Sequence, residues 1–177
     1  QSRDGVDWAF LDALRARWKG KLIVKGVLSV EDACRIRDAG ADAIYVSNHG
    51  GRQLDSAPAA IDMLPRVREA LGPEVPLLYD SGLRDGEDIV KAYALGADFV
   101  MIGRPFLYAA AAAGPLGIER MTTLLAEEIH MTLAQLGLVD IADADHRVIA
   151  IDAGFGVPSP AGALGVNTGL SKDRKST

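Results

Sequence analysis

Alternating strand and helix patterns predict an α/β fold built from repeated parallel β/α units. Three observations carry that expectation. First, four short runs, 22–25, 43–47, 75–80 and 98–103, are nearly continuously apolar and rich in Val, Ile, Leu or Tyr. That is how strands covered on both faces of a parallel sheet read. Second, the sequence repeats itself over two units. Glu31-Asp32 precedes Gly40-Ala41-Asp42 and a strand, Glu87-Asp88 precedes Gly96-Ala97-Asp98 and a strand, and Gly26 matches Gly82 at the same offset. Repeated parallel units point to an α/β barrel rather than an open doubly wound sheet. Third, a closed TIM (β/α)8 barrel needs eight strands and about 250 residues. The 177 residues hold four such runs. The expected architecture is therefore half of a TIM barrel over 1–153, followed by a Gly/Pro/Ser-rich tail over 154–177. The missing half has to come from a preceding segment or another chain, because two bare strand edges are an aggregation hazard.

The elements follow in order. Ser29 is the expected N-cap of a first helix, with Asp32 where a capping box usually has Glu or Gln. That helix runs to Gly40, a plausible residue just past its end. A helical pattern over 61–71 stops at Gly72-Pro73, and another over 87–95 stops at Gly96. After the fourth strand come helices over 106–113 and roughly 117–136. Cys34 falls on an apolar helical stripe and reads as core. Trp8, Trp18 and the methionines read as packing residues, and Arg66, Arg68 and Glu69 as a solvated helix face.

Composition narrows the function. With 19 basic and 24 acidic residues the formal net charge is −5, which speaks against nucleic acid as the main partner. One cysteine permits no internal disulfide, and no Cys/His cluster has metal-ligand spacing. No run reaches the ~20 apolar residues of a membrane span. The expected location is cytoplasmic, with a peripheral position at the inner membrane face left open. The opening Gln1-Ser-Arg-Asp-Gly has no signal-peptide pattern, and without an initiator Met it is expected to begin inside a longer protein.

Barrel active sites lie at the C-terminal ends of the strands. Here those ends carry Lys25-Gly26, Ser47-Asn48-His49-Gly50-Gly51-Arg52, Asp80-Ser81-Gly82-Leu83-Arg84 and Gly103-Arg104-Pro105. Glycines let backbone N–H groups approach an anion and Arg adds a bidentate fork. Pro105 suits the first turn of a helix facing a phosphate. If these are the last two strands, a phosphate is expected on Ser81, Gly82, Arg84, Gly103 and Arg104; the alternative is a pair of ordinary turns with solvated arginines. Followed by Gly50-Gly51, with an Arg three residues on, His49 reads as a base and Arg52 as a carboxylate partner, against the alternative of a structural histidine. Lys25 is a Schiff-base amine, an electrostatic partner for an electron-rich ring, or a snorkelling surface lysine; spacing leaves these open. His130 and His146 have no comparable setting.

The motifs Leu-Ile-Val-Lys25-Gly, Ser47-Asn-His-Gly-Gly-Arg-Gln-Leu-Asp55, Asp80-Ser-Gly-Leu-Arg84-Asp-Gly and Ile102-Gly-Arg-Pro105 stand in the order and spacing of a known family. From about Asp7 to Gly137 the chain resembles the C-terminal half of the FMN-dependent 2-hydroxy-acid oxidases and dehydrogenases. The resemblance implies FMN as cofactor and oxidation of an (S)-2-hydroxy acid to the 2-oxo acid. It implies His49 as catalytic base, with Arg52 on the substrate carboxylate and Lys25 near N1 and the C2 carbonyl of the flavin. Ser47 would hydrogen-bond the flavin; Asp80, Ser81, Gly82, Leu83 and Arg84, with Gly103 and Arg104, would hold the ribityl phosphate. Ser81, where the family motif often has Gly, and the run Asp7-Trp8-Ala-Phe are more similar to the mandelate and lactate dehydrogenases than to glycolate oxidase. The family's other site residues belong to its N-terminal half, which becomes an expected partner, and the family is commonly tetrameric. Two rivals remain: another FMN- or phosphate-binding barrel enzyme, and a non-catalytic half-barrel.

Overall fold

The computed structural model describes residues 6–149. The stretch 154–177, expected as a tail, lies outside the described residues. Four parallel strands form one sheet in sequential order: β1 (Ile23–Val27), β2 (Ala43–Val46), β3 (Leu77–Tyr79) and β4 (Phe99–Val100). Helix α1 (Trp8–Arg17) precedes β1, and α2 (Val30–Asp38), α3 (Ala60–Leu71) and α4 (Gly86–Ala94) are the crossovers. The span α5 (Arg104–Leu136) breaks at Ala113 and Gly114, whose backbones are non-helical. The two helices expected there are thus present, joined by a kink.

The side-chain alternation of the strands divides the sheet. Val24, Val27, Ile44, Val46, Leu77, Tyr79, Val100 and Ile102 face the helices, in one core with Ala33 and Ile36 of α2 and Leu64, Val67 and Leu71 of α3. The opposite face carries Ile23, Lys25, Ala43, Tyr45, Ser47, Leu78, Asp80, Phe99 and Met101, as the registers require. On β2 both faces are buried. On the edge strands the expectation of two covered faces fails: Ile23 is 47% and Phe99 55% exposed. Their outer side chains pack on helices, while no described element covers the inner ones.

The caps explain the boundaries. Ser29 Oγ accepts from Asp32 N at 3.2 Å, but the hydroxyl donates to Glu31 Oε2 at 2.9 Å, so only half of the expected capping box forms. Asp85 caps α4 in the same way. Gly40, Gly72 and Gly96 end their helices with positive φ, which glycine adopts without a Cβ penalty. Helix α1 escaped the sequence reading; its sign was Asp7, whose carboxylate accepts from Phe10 N at 2.8 Å.

The Gly-Ala-Asp repeat has a structural cause at the N-terminal end of the sheet. Asp42 Oδ2 accepts from Leu22 N at 2.9 Å and from Arg15 of α1 at 3.1 Å. Asp98 Oδ2 accepts from Leu77 N at 2.7 Å and from Arg68 of α3 at 2.5 Å. Each arginine also donates to the carbonyl of the glycine ending the next helix, Gly40 for Arg15 and Gly96 for Arg68. Arg68 further holds the Gly72 and Val75 carbonyls. Arg68 is thus not part of a solvated helix face: it staples α3, β3 and β4 together. A Cβ on Gly96 would stand 2.7 Å from Arg68 Cγ. Other packing expectations divide. Trp8 packs on the core with the Arg35 guanidinium 3.9 Å from its ring centre, and Cys34 is partly buried there. Trp18, Met101 and Met131 are exposed, because they lie on faces that no described element covers.

Candidate functional site

The four strand ends converge on one cleft of about 330 Å³. Lys25, His49, Arg52, Asp80, Ser81, Gly82, Leu83, Arg84, Gly103 and Arg104 line it, all of them candidates from the sequence; Gly50, Met101 and Leu107 complete it. Ser47 is the exception. It is 1% exposed, and its Oγ accepts from Lys25 Nζ at 2.7 Å and from His49 N at 3.0 Å.

Lys25 sits inside β1 rather than at its end, and the chain bulges between Lys25 and Val27 where Gly26 takes φ +95°. Its Nζ donates to Asp80 Oδ2 at 2.6 Å and lies 4.1 Å from the centre of the Tyr45 ring. Tyr45 OH donates to the same Asp80 oxygen at 2.9 Å. Burial pushes the Asp80 carboxyl up, but donors from Lys25, Ser47, Ser81 and Tyr45 outweigh it and hold the group below its ordinary value of 3.8. Burial, with Asp80 alongside, pushes the Tyr45 phenol up, so it remains a neutral donor. Tyr45 was legible only as strand filler. Its place two residues before Ser47, on the same face of β2, is the signal that could have found it.

His49 and Arg52 stand at the two ends of a single 3-10 turn, with His49 at φ +58°. Asn48 builds that turn by accepting from Gly50 N at 3.0 Å. The imidazole and the guanidinium therefore line the same cleft. After β3, Ser81 at φ +92° and Gly82 at φ +89° turn the chain. A Cβ built on Gly82 or Gly103 would meet nothing within 4 Å, so both turns open directly onto the cleft. Arg84 N donates to Asp88 Oδ2 at 2.8 Å, and the residue lines the cleft. The guanidinium groups of Arg52, Arg84 and Arg104 have no hydrogen-bond or ion-pair partner among the described residues. Three guanidiniums without such partners around two bare glycine turns are a donor set whose chemistry suits an anion. His130 is exposed in the second part of α5 and His146 lies in a separate 3-10 turn; neither lines the cleft.

Half of an α/β barrel whose rim gathers a histidine and three arginines around one cleft defines the class. The chain belongs to the FMN-dependent dehydrogenase family, which it matches over residues 1–151. It is 46% identical over 160 residues to a pre-mycofactocin synthase of Mycolicibacterium smegmatis, covering 88% of this chain and 40% of that one. It is 48% identical over 147 residues to an L-lactate oxidase of Alicycliphilus denitrificans, covering 83% and 40%. The crystal structure of a monotopic membrane protein, (S)-mandelate dehydrogenase, superposes with a TM-score of 0.75 at 48% identity, covering 78% of this chain and 37% of that one. The chain thus spans about 40% of the length of these relatives. Among the described residues no helix is long and apolar enough to cross a membrane.

Proposed function

We propose that the intact protein oxidises a small (S)-2-hydroxy acid, mandelate- or lactate-like, to its 2-oxo acid with FMN, and that this chain supplies the C-terminal half of the barrel. The observation that carries this reading is the shared cleft: a histidine and an unpaired arginine on one turn, beside a lysine and two arginine-flanked glycine turns. The donor set suits FMN, because Gly82, Arg84, Gly103 and Arg104 offer an open cationic cradle for a ribityl phosphate. Bound FMN supplies the two-electron acceptor.

The chain's own residues do the rest. The Arg52 fork binds and orients the substrate carboxylate. His49 takes a proton from the substrate at a ring nitrogen, a task to which an imidazole is suited. Lys25 is held by Asp80 and Ser47 and presents a fixed positive charge where negative charge develops, which needs no reorganisation during reaction. The exposed inner side chains Ile23, Phe99 and Met101, and the unpaired outer edges of β1 and β4, are the surfaces that four further strands would cover. A 450 Å³ groove between α1 and β1, lined by Val6, Trp8, Leu14 and Ile23 among others, lies where such a strand would enter. That N-terminal half, in the same protein or a separate chain, is the proposed partner; the reading includes a homotetramer at the cytoplasmic side, and peripheral membrane contact has its support in the monotopic relative.

Anaerobic titration of the intact protein with mandelate, lactate and glycolate tests the reading. At least one is expected to bleach the flavin, and His49→Gln is expected to retain FMN while slowing the bleaching by several orders of magnitude. Failure of all three acids, or near-normal reduction by His49→Gln, would overturn it. The first rival, a phosphate-binding barrel enzyme of another chemistry, leaves His49 and Arg52 without a task. The half-barrel rival predicts colourless protein with no companion half.

A further inference from the structure

Resting on the function proposed above, we propose that Ser81 is a positioning residue: its hydroxyl ties the His49 turn to the Asp80–Lys25 pair, and a strained backbone is kept to hold that hydroxyl in place. The backbone alone favours glycine at this position. Ser81 has φ +92°, Gly82 follows at φ +89°, and L side chains rarely adopt that region. What glycine cannot supply is Oγ. That atom accepts from Asn48 N at 3.2 Å and donates to Asp80 Oδ1 at 2.8 Å. The other Asp80 oxygen, Oδ2, takes Lys25 Nζ and Tyr45 OH.

A second hydroxyl closes the circuit. Ser47 Oγ accepts from both Lys25 Nζ and His49 N. Two successive amides, Asn48 N–H and His49 N–H, are thereby captured by hydroxyls on two different strand ends, and both hydroxyls lead back to Lys25. His49 is itself left-handed at φ +58°. Such a residue persists only where its surroundings over-determine it, and these two bonds do so. Ser81 is in turn fixed from the core side, where the buried Tyr79 donates its hydroxyl to Ser81 O at 2.6 Å. The backbone that carries His49 is thus positioned relative to Lys25 by two hydroxyls outside both residues.

The intact flavoprotein with Ser81→Gly and Ser81→Ala tests this, because the two variants separate the strain from the tie. Both remove the hydroxyl, but only Ser81→Gly relieves the φ. Both are expected to speed hydrogen exchange at the Asn48 amide at least tenfold, with FMN bound or removed. Both are expected to lower the limiting rate of flavin reduction about 10–100-fold, with substrate affinity, held by Arg52, changed less than about twofold. Only Ser81→Ala should melt below the wild type; Ser81→Gly should melt at or above it. Ser81→Gly with wild-type Asn48 exchange, with a wild-type reduction rate, or with losses that follow a lowered melting temperature would overturn the proposal. If no 2-hydroxy acid bleaches the wild-type flavin, the functional reading falls; the exchange and melting measurements on the same variants still decide whether Ser81 makes the tie.

Discussion

The two ends of the sheet use the same kinds of side chain to opposite ends. At the N-terminal end Arg15 and Arg68 are saturated: each reaches an aspartate and at least two backbone carbonyls. At the C-terminal end Arg52, Arg84 and Arg104 face an open cleft with no partner among the described residues. The aspartates differ in parallel. Asp42 and Asp98 bind strand amides and fix register, whereas Asp80 takes a lysine and a tyrosine and fixes a charge. A saturated guanidinium is architecture. Guanidiniums without a partner do no such structural work and are tolerated because the fold is held elsewhere.

Substitutions at the two ends should therefore divide cleanly between activity and stability. The largest effect belongs to Arg52→Met. It should lower the efficiency of flavin reduction by a 2-hydroxy acid about 10³-fold, roughly 4 kcal/mol of binding and orientation, in stopped-flow experiments. Its unfolding free energy from urea melts should stay within about 0.5 kcal/mol of wild type, since it breaks no bond. Arg68→Met should do the reverse: about 1–3 kcal/mol lost in urea unfolding, because three part-buried carbonyls and Asp98 lose their donor, with FMN affinity retained. A destabilised Arg52→Met, or an unaffected Arg68→Met, would break the contrast.

A smaller loss is expected for Gly96→Ala, about 1–2 kcal/mol, from the positive φ and the contact with Arg68 together; Gly103→Ala, which meets open space, should instead weaken FMN binding. The smallest effect is a pH dependence. The Asp80 carboxyl is held below 3.8, so its pairing contributes stability that is fully present above about pH 4 and is lost as pH falls through its folded value. The stability gap between the wild type and Asp80→Asn should accordingly be constant above pH 5 and shrink below pH 4, as followed by urea melts.

Much of this was legible before any coordinates. Helix stops at Gly40, Gly72 and Gly96 could be read because only glycine meets a positive φ cheaply. The cleft could be read because chemistry on barrels gathers at strand ends, and Ser47-Asn-His-Gly-Gly-Arg52 is dense in such chemistry. What escaped has one common form. Arg68 looked like a solvated charge, and Tyr45 like strand filler, because each finds its partner 30 or 35 residues away. Helix α1 escaped because its apolar side chains make no strong stripe; Phe10, Leu14 and Trp18 are exposed. Ser81 was legible as a departure from glycine, but not as a bond to Asn48.

By itself the sequence determined the order of β/α units, their stops, the half-barrel count and the residues of the rim, since periodicity, glycine conformation and motif spacing are local properties. Only the tertiary structure decided which arginines are clamps and which are open to a ligand, and that Lys25 is held by Asp80 and Ser47. The reason is physical. A charged side chain acquires its role from the partners that saturate it, and parallel β/α topology brings those partners from distant turns of the chain.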